Sequence, residues 1–363
     1  MRTLVVNTGS SSLKLQVLED STLVGEKLIE RWDGGAGGTS HGDELTEFVT
    51  DAGGVDVVGH RVVHGGARYS SSVIIDDEVV DYLATLVDLA PLHEPNALRG
   101  IEAMREALPS VPQVACFDTA FHATMPLAAV TYALPKEWNE QWNLRRYGFH
   151  GLSHSYASRR GAQLVGQDVQ KLRIVNCHLG SGASLCAIVG GQSVDTTMGF
   201  TPLEGLVMGT RSGSVDPGLL IWLLEHGNLS LGEVNDALEK HGGLAGLSGT
   251  SGDLRDVLEA GTAEAQLALD VYLHRLARCT GEMVASAGGL DLLIFTGGVG
   301  EHRASVRQSL SDSLSYLGVV VDQAVNDSVN GDVILSSSES KVAVAVVECR
   351  EDLEIEREAR RLV

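Results

Sequence analysis

The chain has 363 residues, more than one hydrophobic core usually organises, so two domains are expected and a small disulfide-stapled module is excluded. Hydrophobic residues make up 44% and charged ones 21%, an ordinary globular balance, while aromatics at 5% leave the core to Leu, Val, Ile and Ala. With 48 acidic against 27 basic side chains the formal charge is -21, which repels nucleic acid and anionic membranes, so an anionic ligand must be held by local donors.

Leu4-Val5-Val6 is a short apolar run, Asn7 to Ser12 a polar turn, and Leu13 to Val17 alternates with period two, so the chain opens strand, turn, strand. No helix follows the turn, which excludes a Walker A loop and a dinucleotide fingerprint. Trp32 to Asp43, with Gly34-Gly35 and Gly37-Gly38, reads as a surface loop, and Asp81 to Leu89 and Gly100 to Leu108 read as helices. The opening pattern then returns: Ile174-Val175 enters the turn Asn176 to Gly182, Ser184 to Val189 leaves as a strand, and Gly190-Gly191 turns into another strand around Ser193-Val194. Gly9 and Gly180 thus play the same part, which points to an internal duplication. Ala265 to Val284 is a core helix and Leu290 to Thr296 a buried strand, ended by Gly297-Gly298-Val299-Gly300 before a helix near Ala304. Lys341 to Val347 is the last strand, and Glu351 to Leu362 closes the chain as a charged helix.

The five cysteines show no CxxC spacing and mostly sit in apolar runs, so they read as reduced core thiols and place the protein in the cytosol. No apolar run approaches the ~20 residues of a membrane helix, and a strand stands where a signal sequence would.

Three turns combine small residues with available backbone amides: Thr8 to Ser12, His178 to Gly182 and Gly297 to Gly300. Glycine lets backbone approach a phosphate, and successive N–H groups bind anions even on an acidic protein. Hairpins and helix starts need the same residues, so each turn alone says little. His60/His64 and His150/His154 have the i, i+4 spacing of helical zinc sites, but Arg61-Val62-Val63 reads as strand and no Glu follows His60. Structural hydrogen bonding is the reading for His60, His64, His122 and His154. Arg61, ahead of Val62-Val63-His64-Gly65-Gly66, and Arg211, within Gly209 to Ser214, sit where a planar guanidinium can hold a carboxylate or phosphate in two-point contact. Asp118 ends the apolar Val114 to Phe117, where α/β strands present functional carboxylates.

Several of these segments carry a resemblance. Val5 to Lys14, Gly59 to Gly66, Phe117-Asp118-Thr119-Ala120-Phe121-His122, Arg146 to Gly151, Met198 to Gly205 and Gly209 to Pro217 together resemble the acetate kinase family, nearly end to end. The resemblance implies an α/β fold of two duplicated ribonuclease-H-like, actin-like ATPase domains with ATP in the interdomain cleft. Residues 1–148 plus 350–363 would form the N-terminal domain and 149–349 the C-terminal, nucleotide-binding one. It implies catalytic roles for Asp118, Arg61, His150 and Arg211, and a substrate pocket of Arg61, Val63, Leu92, His93, Phe149 and Pro202. Nucleotide contacts would come from Ser10, Ser12 and Lys14, from His178, Leu179, Gly180, Ser181 and Gly182, from Asp253, Leu254 and Arg255, and from Gly298, Val299, Gly300, Glu301 and His302. Asn7 and Glu351 match magnesium-associated positions, with Mn2+ able to substitute.

The implied reaction is reversible transfer of the ATP γ-phosphoryl group to acetate in a cytoplasmic homodimer, with no nucleic-acid or membrane partner. The sequence departs from the family at Ser181 and His302, where relatives usually carry Asn. Glu94-Pro95-Asn96-Ala97 also replaces Asn-Pro-x-Asn, and Cys349-Arg350 stands before Glu351. Propionate or butyrate kinase, a nucleotide-gated binding protein of the actin or Hsp70 type, and a hydrolase built on the histidines are the competing readings.

Overall fold

The computed structural model describes residues 1–9, 12–30, 32, 42–90 and 93–363; Ser10, Leu92 and the glycine-rich 33–41 stretch lie outside them. The strands are β1 (Arg2–Thr8), β2 (Ser12–Glu19), β3 (Thr22–Glu30), β4 (Val57–Val62), β5 (Val73–Ile74), β6 (Gln113–Phe117), β7 (Arg173–Leu179), β8 (Ala183–Val189), β9 (Gln192–Thr196), β10 (Leu292–Thr296), β11 (Val333–Ile334) and β12 (Ala343–Val346). They form two six-stranded sheets, ordered β3-β2-β1-β4-β6-β5 and β9-β8-β7-β10-β12-β11. In each sheet an antiparallel meander of three strands is followed by two parallel strands and a short antiparallel edge strand. Both meanders carry a bulge at the same place, between Val17 and Leu18 and between Ala187 and Ile188. The duplication read from two glycine turns therefore extends through both sheets.

The described chain falls into two compact units, Met1–Ala123 with Phe149–Tyr156 and Arg350–Val363, and Thr124–Gly148 with Ala157–Cys349. Relative to a division after residue 148, Thr124–Gly148 groups with the second unit, because Arg146 Nη1 donates to the carbonyls of Thr196, Thr197 and Met198 and its Nη2 pairs with Glu204 at 2.6 Å. Phe149–Tyr156 groups with the first, because Gly151 donates its N–H to the Asp118 carbonyl at 2.8 Å.

The central strands are apolar because both sheet faces are covered. In the first unit Leu4 and Val6 of β1 face Leu13, Leu15, Val58 and Met104, while Val5 faces Val57, Val114, Ile355 and Ala359 on the other side. Trp32, placed by sequence in a surface loop, is buried in the first of these clusters. Two helices begin earlier than their apolar pattern indicates. Asp76 caps Asp77–Ala84 by accepting the Val79 N–H, and Pro95 stands in the first turn of Glu94–Ala107. The Gly297 to Gly300 segment, expected as a loop, is the first turn of a short helix, Gly297–His302, which precedes Ala304–Ser313. The long core helix runs Ala263–Ala287 under a Thr262 cap. Four cysteines are buried and Cys349 is half-buried, and none of the five forms a disulfide among the described residues.

Candidate active site

In the first unit β4 and β6 run parallel with Val62 opposite Phe117, so Arg61 and Asp118 emerge side by side at the carboxyl ends of neighbouring strands. Arg61 Nε and Nη2 donate to Asp118 Oδ1 and Oδ2 at 3.2 and 2.8 Å, a two-point clamp, and Nη1 lies 3.2 Å from Glu351 Oε2. Asp118 is 1% exposed. One guanidinium thus stands between two carboxylates, a pairing that fixes where its charge sits. The Asp118 carbonyl accepts the Gly151 N–H, and a Cβ on Gly151 would lie 2.2 Å from that oxygen, so the close approach requires glycine. The preceding residue, His150, holds φ at +57°, a left-handed conformation that is uncommon outside glycine and concentrates at functional sites.

The surrounding histidines have structural partners. His60 Nε2 meets Gln113 Oε1 at 2.8 Å, and His122 Nε2 meets the Phe149 carbonyl at 3.0 Å. His154 packs edge-on against His122, and His64 edge-on against Phe149. His64 Nδ1 accepts the Gly66 N–H at 2.8 Å, which fixes a neutral tautomer. Burial pushes both His60 and His64 down to about 4.

The remaining predicted residues of this unit sit on β1, β2 and the segments that follow β4 and precede the Glu94–Ala107 helix. Asn7, the last but one residue of β1, stands opposite Lys14 of β2, whose Nζ pairs with Glu26 Oε1 at 2.7 Å. Ser12 accepts the Gly9 N–H through its carbonyl, closing the β1–β2 turn, and Asn96 Nδ2 holds the Gly9 carbonyl at 2.9 Å. Val63 follows β4, and His93 immediately precedes the Glu94–Ala107 helix. Asn7 and Glu351 offer amide and carboxylate oxygens, the donor set of a hard divalent cation such as Mg2+.

In the second unit the predicted nucleotide residues converge on a cavity of about 450 Å3. Gly180 and Ser181 of the β7–β8 turn, Asp253, Leu254 and Arg255, and Gly298, Val299 and His302 all line it. The turn is shaped by Gly180 donating to the Gly182 carbonyl and Gly209 to that of Ser181. Asp253 caps the Leu254–Ala260 helix and forms an ion pair with Arg255, and the hydrogen bonds from Arg255 hold its carboxyl at about 2. His178, Leu179, Gly182, Gly300 and Glu301 are not among the lining residues; Glu301 instead accepts the N–H groups of Gly297 and Cys349. Tyr272, Arg303 and Leu244 line the cavity without any sequence motif to announce them, whereas Gly209 and Thr210 belong to the Gly209 to Ser214 segment, and Ser251-Gly252, just before Asp253, carried a readable turn signal.

Arg211 differs from Arg61 in its partners. Its Nη1 donates to the Pro202 carbonyl at 2.6 Å, and no carboxylate lies within ion-pair distance of it among the described residues. Burial lowers its pKa although the more distant Glu239 charge opposes the shift, so the guanidinium is partly stripped of water with no carboxylate in contact. An anionic ligand would supply a counter-ion.

The acetokinase family model matches residues 39–357. An acetate kinase from a Nostoc species is 44% identical across the whole of both chains, and one from Nostoc punctiforme 51% identical over 86% of this chain and 77% of its own. Among solved structures, the acetate kinase of Porphyromonas gingivalis superposes with a TM-score of 0.91 at 36% identity, covering 99% of each chain. A propionate kinase from Francisella tularensis gives 0.90 at 34%, covering 100% of each. The two sheets match the actin-like ATPase fold of these structures. The chain is a kinase and belongs to the acetokinase family.

Proposed function

We propose that the protein is a reversible acetate kinase, transferring the γ-phosphoryl group of ATP to the carboxylate of acetate to give acetyl phosphate and ADP. The observation that carries this reading is Arg211, a half-buried guanidinium without a carboxylate partner, in a chain whose second unit holds a glycine-walled cavity of nucleotide size. Both reactants are anions, so the protein's task is to position like charges and stabilise the equatorial oxygens of a metaphosphate-like transition state. Arg61, Arg211 and His150 are the cationic and hydrogen-bonding groups assigned to those oxygens. Acetate is already ionised, so no residue need take a proton from it; Asp118 orients Arg61 through the two-point clamp. Val63, Phe149 and Pro202, with Leu92 and His93, are assigned to the methyl end. Asn7 and Glu351 would hold Mg2+, or Mn2+ in its place, whose chemistry is to neutralise phosphate oxygens.

The Pro217–His226 helix buries none of its residues and exposes Leu219, Ile221 and Trp222, an apolar surface that a second copy of the chain would cover. This supports a homodimer. No helix among the described residues is long and apolar enough to cross a membrane, and four buried cysteines that form no disulfide fit a reducing cytoplasm. A coupled assay of ADP release tests the reaction. Activity with acetate exceeding that with propionate and butyrate is the expected result, and absence of turnover with all three rejects it. The Francisella propionate kinase keeps propionate as the second reading, because one methylene is worth only ~1–3 kcal/mol of discrimination.

A further inference from the structure

The Ala304–Ser313 helix carries a charged side chain that the reaction does not use. Arg307 is 1% exposed, and no carboxylate lies within ion-pair distance of it among the described residues. A buried charge normally needs a counter-ion, because taking it out of water is expensive. Here oxygens of neutral groups replace the water. Nη1 donates to the carbonyls of Gly300 and Glu301 at 2.9 and 2.8 Å, Nε to Asn326 Oδ1 at 2.7 Å and Nη2 to the Asn326 carbonyl at 2.6 Å. Asn326, also fully buried, returns Nδ2 to the Ala304 carbonyl at 3.0 Å. Two of Arg307's four acceptors are therefore the terminal carbonyls of the Gly297–His302 helix, which have no partner within that helix and carry its negative dipole end. At the other end Glu301 folds back to accept the Gly297 N–H at 2.8 Å and the Cys349 N–H at 3.0 Å.

A helix of six residues does not persist on its own in water, so these braces decide its shape. That shape matters because Gly298, Val299 and His302 form one wall of the 450 Å3 cavity, followed by Arg303. Arg307 itself is not part of the lining. We propose that Arg307 is a positioning residue which, with Asn326, fixes the Gly297–His302 wall of the cavity and so sets the protein's affinity for nucleotide without acting on the carboxylate substrate. The inference rests on reading that cavity as the nucleotide site. Lysine cannot replace it, since an ammonium is a point donor and cannot span carbonyls and the Asn326 amide in one plane.

The test uses the full chain, with ADP binding measured by titration calorimetry and Michaelis constants measured separately for ATP and acetate. Arg307→Lys should weaken ADP binding and raise the ATP constant at least about tenfold, with kcat and the acetate constant within about threefold of wild type. Asn326→Ser, a milder change that leaves the arginine in place, should move the same constant in the same direction and serves if Arg307→Lys does not fold. The two changes together should cost less than their product, because they break one network. Unchanged ADP affinity in a folded variant overturns the proposal, as do equal rises in both Michaelis constants. Wild-type protein that binds no ADP would instead sink the kinase reading, so the two failures are distinct.

Discussion

The two arginines singled out by sequence are held differently, and the difference sets what each substitution should do. Arg61 is clamped between Asp118 and Glu351, whereas Arg211 donates to a carbonyl and lacks an ionic partner. Arg211→Ala therefore leaves no carboxylate uncompensated, and it should lower kcat at least ~10²-fold while the melting temperature stays within a few degrees. Near-normal turnover in purified protein would remove Arg211 from the mechanism. A third buried group governs the pH dependence of stability. Burial, with the Asp118 charge adding, pushes the Glu94 carboxyl up to about 8 from a usual 4.5. The folded state thus keeps a proton that the unfolded chain releases, so stability is full below 4.5 and is lost as pH rises towards 8, by at most on the order of 5 kcal/mol. His60 and His64 act oppositely. They stay neutral in the fold down to about 4 while the unfolded chain takes up protons below 6.5, so their contribution is full above 6.5 and lost as pH falls. Two histidines outweigh one carboxyl on the acid side, so these three groups place the stability maximum near pH 6.5. Melting curves from pH 5 to 9 should show it, and Glu94→Gln should flatten the alkaline limb. An unchanged alkaline slope in that variant would assign the loss to other groups.

At the scale of elements, the turns were legible and their partners were not. The β1–β2 and β7–β8 turns each needed glycine between apolar strands, a local requirement that shows in sequence. Asp118 was legible for a similar reason, standing directly after a fully buried strand. Arg61's second partner, Glu351, sits at the other end of the chain, and Tyr272 reaches the cavity from the middle of a long helix, so neither carries a local signal. The Gly297–His302 helix was misread because glycines usually interrupt helices, whereas here the first of them makes the bend into one. Its two leading glycines do different work. Gly297 has φ of +80°, and a Cβ there would lie 2.7 Å from the Leu179 carbonyl; at Gly298 a Cβ would meet nothing within 4 Å. Gly297→Ala should therefore destabilise the protein by about 1–3 kcal/mol through strain and clash. Gly298→Ala should leave the melting temperature intact and raise the ATP Michaelis constant, since its methyl would add bulk where the segment lines the cavity. Equal thermal losses in the two variants would contradict this separation.

At the scale of the whole molecule, the first unit is assembled from both ends of the chain, and that sets the order in which it can become stable. The Glu351–Arg360 helix packs on β1, β4 and β6 and completes the face formed by Val5, Val57, Val114 and Cys116. Ile355 sits so close to β4 that a Cβ on Gly59 would lie 2.5 Å from its Cγ2. Glu354 accepts the Ser155 hydroxyl at 2.9 Å and Glu356 the Ser21 N–H at 3.1 Å, so acidic groups inside this interface are hydrogen-bonded. Sequence gave the helix but not its role, because a strongly charged terminal helix ordinarily reads as a solvated one. The same helix presents Glu351 to Arg61, so packing and the charge clamp are coupled. Ile355→Ala should cost about 2–4 kcal/mol by opening a cavity against β4. Removing 350–363 strips the sheet of one covered face and of Glu351 together, and should leave the first unit unfolded while the second keeps its own sheet and core. Limited proteolysis of the shortened chain should then cut throughout 1–123 while 157–349 survives. Resistance of both regions, with a single melting transition at the full-length temperature, would show that the sheet closes without its terminal helix.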